Sequence, residues 1–164
     1  MFKRILKWVG GALLAVVVTL ALAIGLILLF RTEPLAIIPG GRLSGEEVTD
    51  PVTDWSFTEQ YPTVTLEVRP LDPFSVNTSS LLYDGVLYVP SGRGGESRWA
   101  QFLLQDSSMR LRVGNTLYPV RATHVEDPML LRELYEAWEQ KYPGQEGRTA
   151  EEIAQTWFFR IDEP

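Results

Sequence analysis

The chain has 164 residues, 15 Lys and Arg against 21 Asp and Glu, a single His and no Cys. The absence of Cys excludes a disulfide scaffold, a thiolate metal site and a Cys nucleophile, and one His excludes a His-rich metal cluster. A net charge of −6 suits nucleic acid poorly, because phosphates demand a basic face, so no nucleic-acid partner is expected.

Lys3, Arg4 and Lys7 open the chain, and Trp8 stands where an interfacial aromatic anchors a membrane helix. From Val9 to Phe30 run 22 residues without charge or Pro, with Thr19 the sole hydroxyl. As a helix this run is about 33 Å long, enough for a bilayer core of about 30 Å. All 21 acidic residues follow it, with Glu33, Glu46, Glu47 and Asp50 the first of them. The positive-inside rule then predicts a single-pass protein of a bacterial inner membrane, with its N-terminus cytoplasmic and its domain periplasmic. Leu29-Phe30-Arg31 is no small-x-small cleavage site, which favours a retained anchor over a removed signal. Gly11, Ala15, Thr19 and Ala23 recur every four residues, a face on which two membrane helices can approach closely.

The expected organisation is an anchor over 1–30, a tether over 31–53 and a folded domain over 54–164. Pro34, Pro39, Gly40, Gly41, Gly45 and Pro51 break up the tether, which should lie along the domain with Ile37-Ile38 as its docking point. Thr63 to Arg69 alternates as a strand, with Val64, Leu66 and Val68 on one face and Thr65, Glu67 and Arg69 on the other. Phe74 to Tyr83 reads as a second strand, Asp84-Gly85 as a hairpin turn, and Val86 to Val89 as the return. Gly95 to Leu104 is a short helix. Met109 to Val113 and Thr116 to Val125 are strands joined by Gly114-Asn115.

Asp127 and Pro128 are the N-cap and first residue of a helix striped by Leu130, Leu131, Leu134, Tyr135, Trp138 and Tyr142, and Pro143-Gly144 stops it. Thr149 to Glu152 is a capping box for a last turn, and Trp157 to Ile161 a closing strand. Strands that are mostly sequence neighbours, joined by tight turns, indicate an antiparallel barrel with appended helices.

Chemistry concentrates between Tyr88 and Trp99, where a strand runs through Ser91-Gly92-Arg93-Gly94-Gly95-Glu96-Ser97-Arg98 into a helix. Glycines bare the backbone N–H groups, a helix start adds partial positive charge, and Arg93 and Arg98 can pair with phosphate. The loop lacks the Lys-Ser/Thr of a P-loop and is not a dinucleotide fingerprint. Its bland alternative is a surface turn with solvated arginines.

Tyr88 to Trp99, then Phe102 to Asp106, Met109 to Gly114 and Tyr118 to Ala122, together resemble the split-barrel flavin-binding superfamily. Its members include the pyridoxamine-phosphate oxidases and the deazaflavin-dependent nitroreductase/quinone reductases. The resemblance covers about Asp54 to Ile161 and departs from the family's Asp-Pro or Asn-Pro step at Asp106-Ser107. It implies a mainly β, α+β fold: a split antiparallel β-barrel with flanking helices, here preceded by one transmembrane helix. It places Ser91, Arg93, Gly94, Gly95, Ser97, Arg98 and Trp99 at the cofactor phosphate, and Ser75, Val76, Asn77 and Thr78 along the cofactor ring. It implies FMN or a deazaflavin as cofactor, a small-molecule acceptor, and a homodimer with the cleft between subunits.

No catalytic residue and no metal ligand is singled out. His124 lies in a strand without a nearby nucleophile, and Glu133, Glu136 and Glu139 form a solvated helix face. Asn77-Thr78-Ser79 matches a glycosylation sequon but falls in a strand. Trp55, Phe57, Tyr61, Trp138, Trp157, Phe158 and Phe159 are expected in the core. The expected function is a membrane-anchored flavin- or deazaflavin-dependent oxidoreductase. The alternative is a non-catalytic envelope binding or structural module, which the acidic surface and exported location favour.

Overall fold

The computed structural model describes residues 2–30, 33–143 and 149–164, with their side chains except at 2–9, 12, 27–30, 150 and 152. The chain divides into two compact units, Met1–Arg31 and Thr32–Pro164. The first is one helix, α1 (Phe2–Phe30). Its side chains from Leu13 and Val16 through Leu20 to Ile24 and Leu26 are apolar and exposed, and Thr19 returns its hydroxyl proton to the Ala15 carbonyl at 2.9 Å. Among the described residues no helix is long and apolar enough to cross a membrane, the described side chains of α1 covering only positions 10–26.

The second unit is built on one curled sheet. Its strands are β1 (Glu46–Glu47), β2 (Val64–Val68), β3 (Phe74–Thr78), β4 (Leu81–Tyr83), β5 (Val86–Ser91), β6 (Ser108–Val113), β7 (Thr116–His124) and β8 (Trp157–Asp162). They pair in the order β3-β2-β6-β7-β8-β5-β4, antiparallel throughout, while β1 lies parallel on β7. The Thr78 hydroxyl at the end of β3 donates to the Pro90 carbonyl in β5 at 3.0 Å, joining opposite regions of the sheet. The result is a split barrel.

The helices are α2 (Arg98–Gln105), α3 (Pro128–Lys141) and α4 (Ala150–Gln155). Pleating sends β5 and β8 side chains alternately to two cores. Leu87, Val89, Phe159 and Ile161 enter the barrel with Leu66, Leu111 and Trp99, whereas Tyr88 and Phe158 turn outward to meet Leu134, Tyr135 and Trp138 of α3.

Several local readings hold. Asp84 and Gly85 have φ +49 and +74, the doubly positive pair that a tight hairpin turn uses. The Asp127 carboxylate accepts the Met129 N–H at 2.9 Å, with Pro128 opening α3. The stop at Pro143-Gly144 lies partly outside the described residues. The expected strand from Phe74 to Tyr83 is instead two, β3 and β4, interrupted at Ser79-Ser80.

The larger difference concerns residues 33–53. Leu43, 3% exposed, is the docking residue, while Ile37 is 97% exposed. This segment covers the outer face of β2, so Thr65 and Glu67, which alternation assigns to solvent, are buried. Ions fasten it: Glu67 accepts from Arg110 and from the Leu43 N–H, Arg110 also reaches Glu47 at 3.1 Å, and Arg112 pairs with Glu33 at 2.6 Å.

Burial acts to raise the Glu33 carboxyl, but hydrogen bonds from Arg112 and Ser44 outweigh it and hold the group below its ordinary 4.5. A carboxylate depressed on folding stabilises the fold above its unfolded value, and that contribution is lost as pH falls through the folded value. Amide protection at Leu43 and Val48 should therefore decline as pH drops below 4.5, and Glu33→Gln should abolish this pH dependence. Hydrogen exchange on the wild type and Glu33→Gln measures it.

Candidate functional site

An open cleft of about 420 Å³ lies between β3, the Arg93–Trp99 loop and the turn at 36–39. Its walls are Phe74, Val76 and Asn77 on one side, Arg93, Glu96, Ser97, Arg98 and Trp99 on another, and Ala36 to Pro39 on the third. The volume lies within the range of about 300–1,000 Å³ typical of small-molecule sites.

Six of the eleven residues singled out from sequence meet here: Val76, Asn77, Arg93, Ser97, Arg98 and Trp99. The guanidinium of Arg98 stacks 5.1 Å from the Phe74 ring centre and 5.8 Å from that of Phe102, and the two rings meet edge to face at 5.5 Å. Arg93 and Arg98 are exposed, and among the described residues no hydrogen bond or ion pair engages either guanidinium. Two cations without carboxylate partners beside an aromatic wall suit an anionic group carried on a planar body.

The other five are turned elsewhere, for identifiable reasons. Ser91 is buried and donates to Ser97 Oγ at 2.8 Å, within reach of the Gly94 carbonyl at 3.1 Å. Its hydroxyl closes the loop on itself. Gly94 and Gly95 face β8: a Cβ on Gly94 would overlap the Gln155 carbonyl oxygen, and one on Gly95 would come within 2.9 Å of the Trp157 ring. These glycines permit packing. Ser75 is fully buried on the opposite face of β3, where its backbone exchanges hydrogen bonds with Gly40 at 2.8 and 3.0 Å. Thr78 is spent on Pro90.

Ser97 is the N-cap residue of α2, yet its side chain does not cap the helix, being engaged with Ser91. The first-turn amides of α2 are thereby left without a side-chain cap, next to Arg98. At the other end of α2, Asp106 Oδ1 accepts the Ser108 N–H at 2.9 Å, which holds that carboxyl below its usual range. This bond turns the chain at the step where Asp106-Ser107 stands in place of Asp-Pro.

Phe74, Glu96 and the 36–39 wall were missed by the sequence reading. The wall comes from a segment assigned to a tether, and only the Ile37-Ile38 pair signalled it. His124 packs against Trp157 and Phe159, with ring centres at 4.5 and 5.3 Å, away from the cleft residues named above. Among the described residues no cluster of acidic or His side chains could hold a metal.

No family model matches the chain, and no curated protein matches it significantly. Solved structures do share its fold. A protein assigned as a pyridoxamine 5′-phosphate oxidase from Listeria innocua superimposes with a TM-score of 0.51 at 18% identity, covering 65% of this chain and 86% of that one. One assigned to 5-nitroimidazole antibiotic resistance from Bacteroides thetaiotaomicron gives 0.52 at 12% identity over 70% and 80%. A NimC/NimA family protein from Clostridium acetobutylicum gives 0.50 at 12% over 64% and 76%. The shared architecture is the split barrel.

Proposed function

We propose that the chain is a membrane-anchored oxidoreductase whose cleft holds a phosphate-bearing flavin-type cofactor, FMN or a deazaflavin, and serves a small-molecule acceptor. The observation that carries this reading is the pair of arginines without a carboxylate partner among the described residues, Arg93 and Arg98, beside the Phe74 and Trp99 walls of a cleft of ligand size. Arg93, Arg98 and the uncapped start of α2 hold the phosphate, while Phe74, Val76 and Trp99 shield the apolar body of the ligand from water. Such a cofactor supplies electron-pair transfer to the acceptor. Among the described residues the ionisable side chains lining the cleft are Arg93, Arg98 and Glu96, and the two arginines serve binding and orientation.

The split barrels of the oxidase and nitroimidazole-resistance proteins support the cofactor class. The charge-free run at the centre of α1, after Lys3, Arg4 and Lys7, supports the anchor and a bacterial inner-membrane location with the domain periplasmic. A homodimer belongs to the same proposal.

A second reading, a non-catalytic envelope module on this scaffold, draws on Glu96. Its carboxylate lines the same cleft as the arginines, and the two serine hydroxyls nearby are closed on each other. Titration separates the readings. Each arginine–phosphate contact is a charge-assisted hydrogen bond of about 1.5–3 kcal/mol, so Arg93→Ala or Arg98→Ala should weaken FMN or deazaflavin binding about 10- to 150-fold. Arg93→Ala should leave thermal stability unchanged. Arg98→Ala loses its ring stacking and should cost about 0.5–1 kcal/mol. Wild-type protein that binds neither ligand would favour the module.

A further inference from the structure

We propose that the turn at 35–38 is a lipid-inserting wedge that seats the mouth of the cleft on the bilayer surface, a proposal that rests on the reading of α1 as a membrane anchor. Leu35 and Ile38 exchange both backbone hydrogen bonds, at 3.0 and 2.9 Å, closing a tight turn over Ala36 and Ile37. Ala36 has φ +50, a region that Asn or Gly occupies more comfortably. Ile37 is 97% exposed and Leu35 63%. A water-facing turn would gain from polar turn formers at both tip positions, and this one carries Ala and Ile between Leu and Ile.

The protrusion is held on both sides. Before it, Glu33 pairs with Arg112 at 2.6 Å; after it, Gly40 is bridged to Ser75 in β3. An apolar tip fixed in this way is already shaped for insertion and has little further ordering to undergo on contact.

The length of the chain says what covers it. Leu35 lies five residues after Phe30, the end of the apolar run. Fully extended they reach at most about 18 Å. The headgroup layer is about 5–7 Å deep on each side of the hydrocarbon, so a stretch of this length can span it. A second copy of the chain is a poorer occupant, since a stable contact needs about 800 Å² per partner, far more than a four-residue turn offers. Because Ala36, Ile37 and Ile38 also form one wall of the cleft, an inserted wedge opens that cleft at the interface. The ligand class it then admits is an amphiphile dissolved in the membrane.

The chain has no Cys, so single-Cys variants label at one site. Bimane would be attached to full-length Ile37→Cys, Leu20→Cys in α1, and Glu126→Cys at an exposed loop position. Each is then reconstituted in phosphatidylcholine/phosphatidylglycerol vesicles with or without acyl-chain bromine. Expected are blue-shifted, bromine-quenched emission at Ile37 and Leu20, with Glu126 unaffected. Quenching at Leu20 but not at Ile37 would overturn the wedge and leave the anchor standing. An unquenched Leu20 would remove the anchor and the wedge with it. Equal quenching at Ile37 and Glu126 would mean that the whole domain lies against lipid, which also overturns a specific wedge. An Ile37 probe shielded from water yet untouched by bromine would assign the turn to a protein contact.

Discussion

Gly94→Ala should destabilise the domain by about 2–4 kcal/mol, although the residue sits in a loop and adds only one methyl. Two costs combine. Gly94 has φ +45, where an L side chain pays roughly 1 kcal/mol. Its Cβ would also overlap the Gln155 carbonyl oxygen and come within 2.9 Å of Trp157 Cδ1. Relieving that overlap means shifting backbone where α4 meets β8, and overpacking of this kind costs about 1–3 kcal/mol. For a domain of this size the melting temperature should fall by about 10 °C or more. The glycine thus serves the fold, whereas its place beside Arg93 in the sequence suggests backbone approach to a phosphate. A Gly94→Ala protein with a wild-type melt and impaired cofactor binding would restore that other role.

Arg110→Ala should be comparably severe, by about 3–5 kcal/mol, because it strands a buried carboxylate. Glu67 is 3% exposed and accepts from Arg110 Nη2 at 2.5 Å, from Arg110 Nε at 3.1 Å and from the Leu43 N–H at 2.5 Å. Burial works against the Arg110 charge, but bonds to Glu67 and Glu47 outweigh it and raise its pKa above the ordinary arginine value. Removing the guanidinium leaves Glu67 with the Leu43 N–H as donor and only the exposed Arg42 guanidinium, 3.9 Å away, as counter-charge. It also frees Glu47 and the Leu43 carbonyl, which accepts from Arg110 at 3.2 Å. Adding Glu67→Gln to Arg110→Ala should recover part of the loss, since an amide can be buried without a counter-charge and still accept from Leu43. Urea unfolding of the two single variants and the double variant gives the coupling. Additive losses would contradict a shared ion pair.

How much of this was legible depended on sequence distance. The strand periodicity of Val64, Leu66 and Val68, the hairpin at Asp84-Gly85 and the Asp127-Pro128 helix start are decided by near neighbours, and they read correctly. The outer face of β2 did not, because Glu67 is buried by Leu43 and by Arg110, 24 and 43 positions away. A Glu in a strand looks solvated until its partners are known. The complementary signal was present in Glu33 and Glu47, set against Arg110 and Arg112, but only the sheet register connects them.

The loop shows the same limit. Spacing identified Ser91 through Trp99 as one neighbourhood, and Arg93 and Arg98 do line the cleft. Which way Gly94 and Gly95 face depends on Gln155 and Trp157, from the far end of the chain, while Ser91 turns to Ser97 within the loop. Ser75 was misplaced for a simpler reason: with Phe74 and Val76 on the cleft wall, pleating sends Ser75 to the opposite face.

The most direct measurement is the affinity of the full-length protein for FMN compared with riboflavin, which shares the ring system and lacks the phosphate, with a phosphate-bearing deazaflavin run in parallel. If Arg93 and Arg98 hold the phosphate, FMN or the deazaflavin should bind at least about 10-fold more tightly than riboflavin, and the advantage should vanish in Arg93→Ala/Arg98→Ala. Riboflavin binding as tightly as both phosphate-bearing ligands, or no binding of any of the three, would contradict the account.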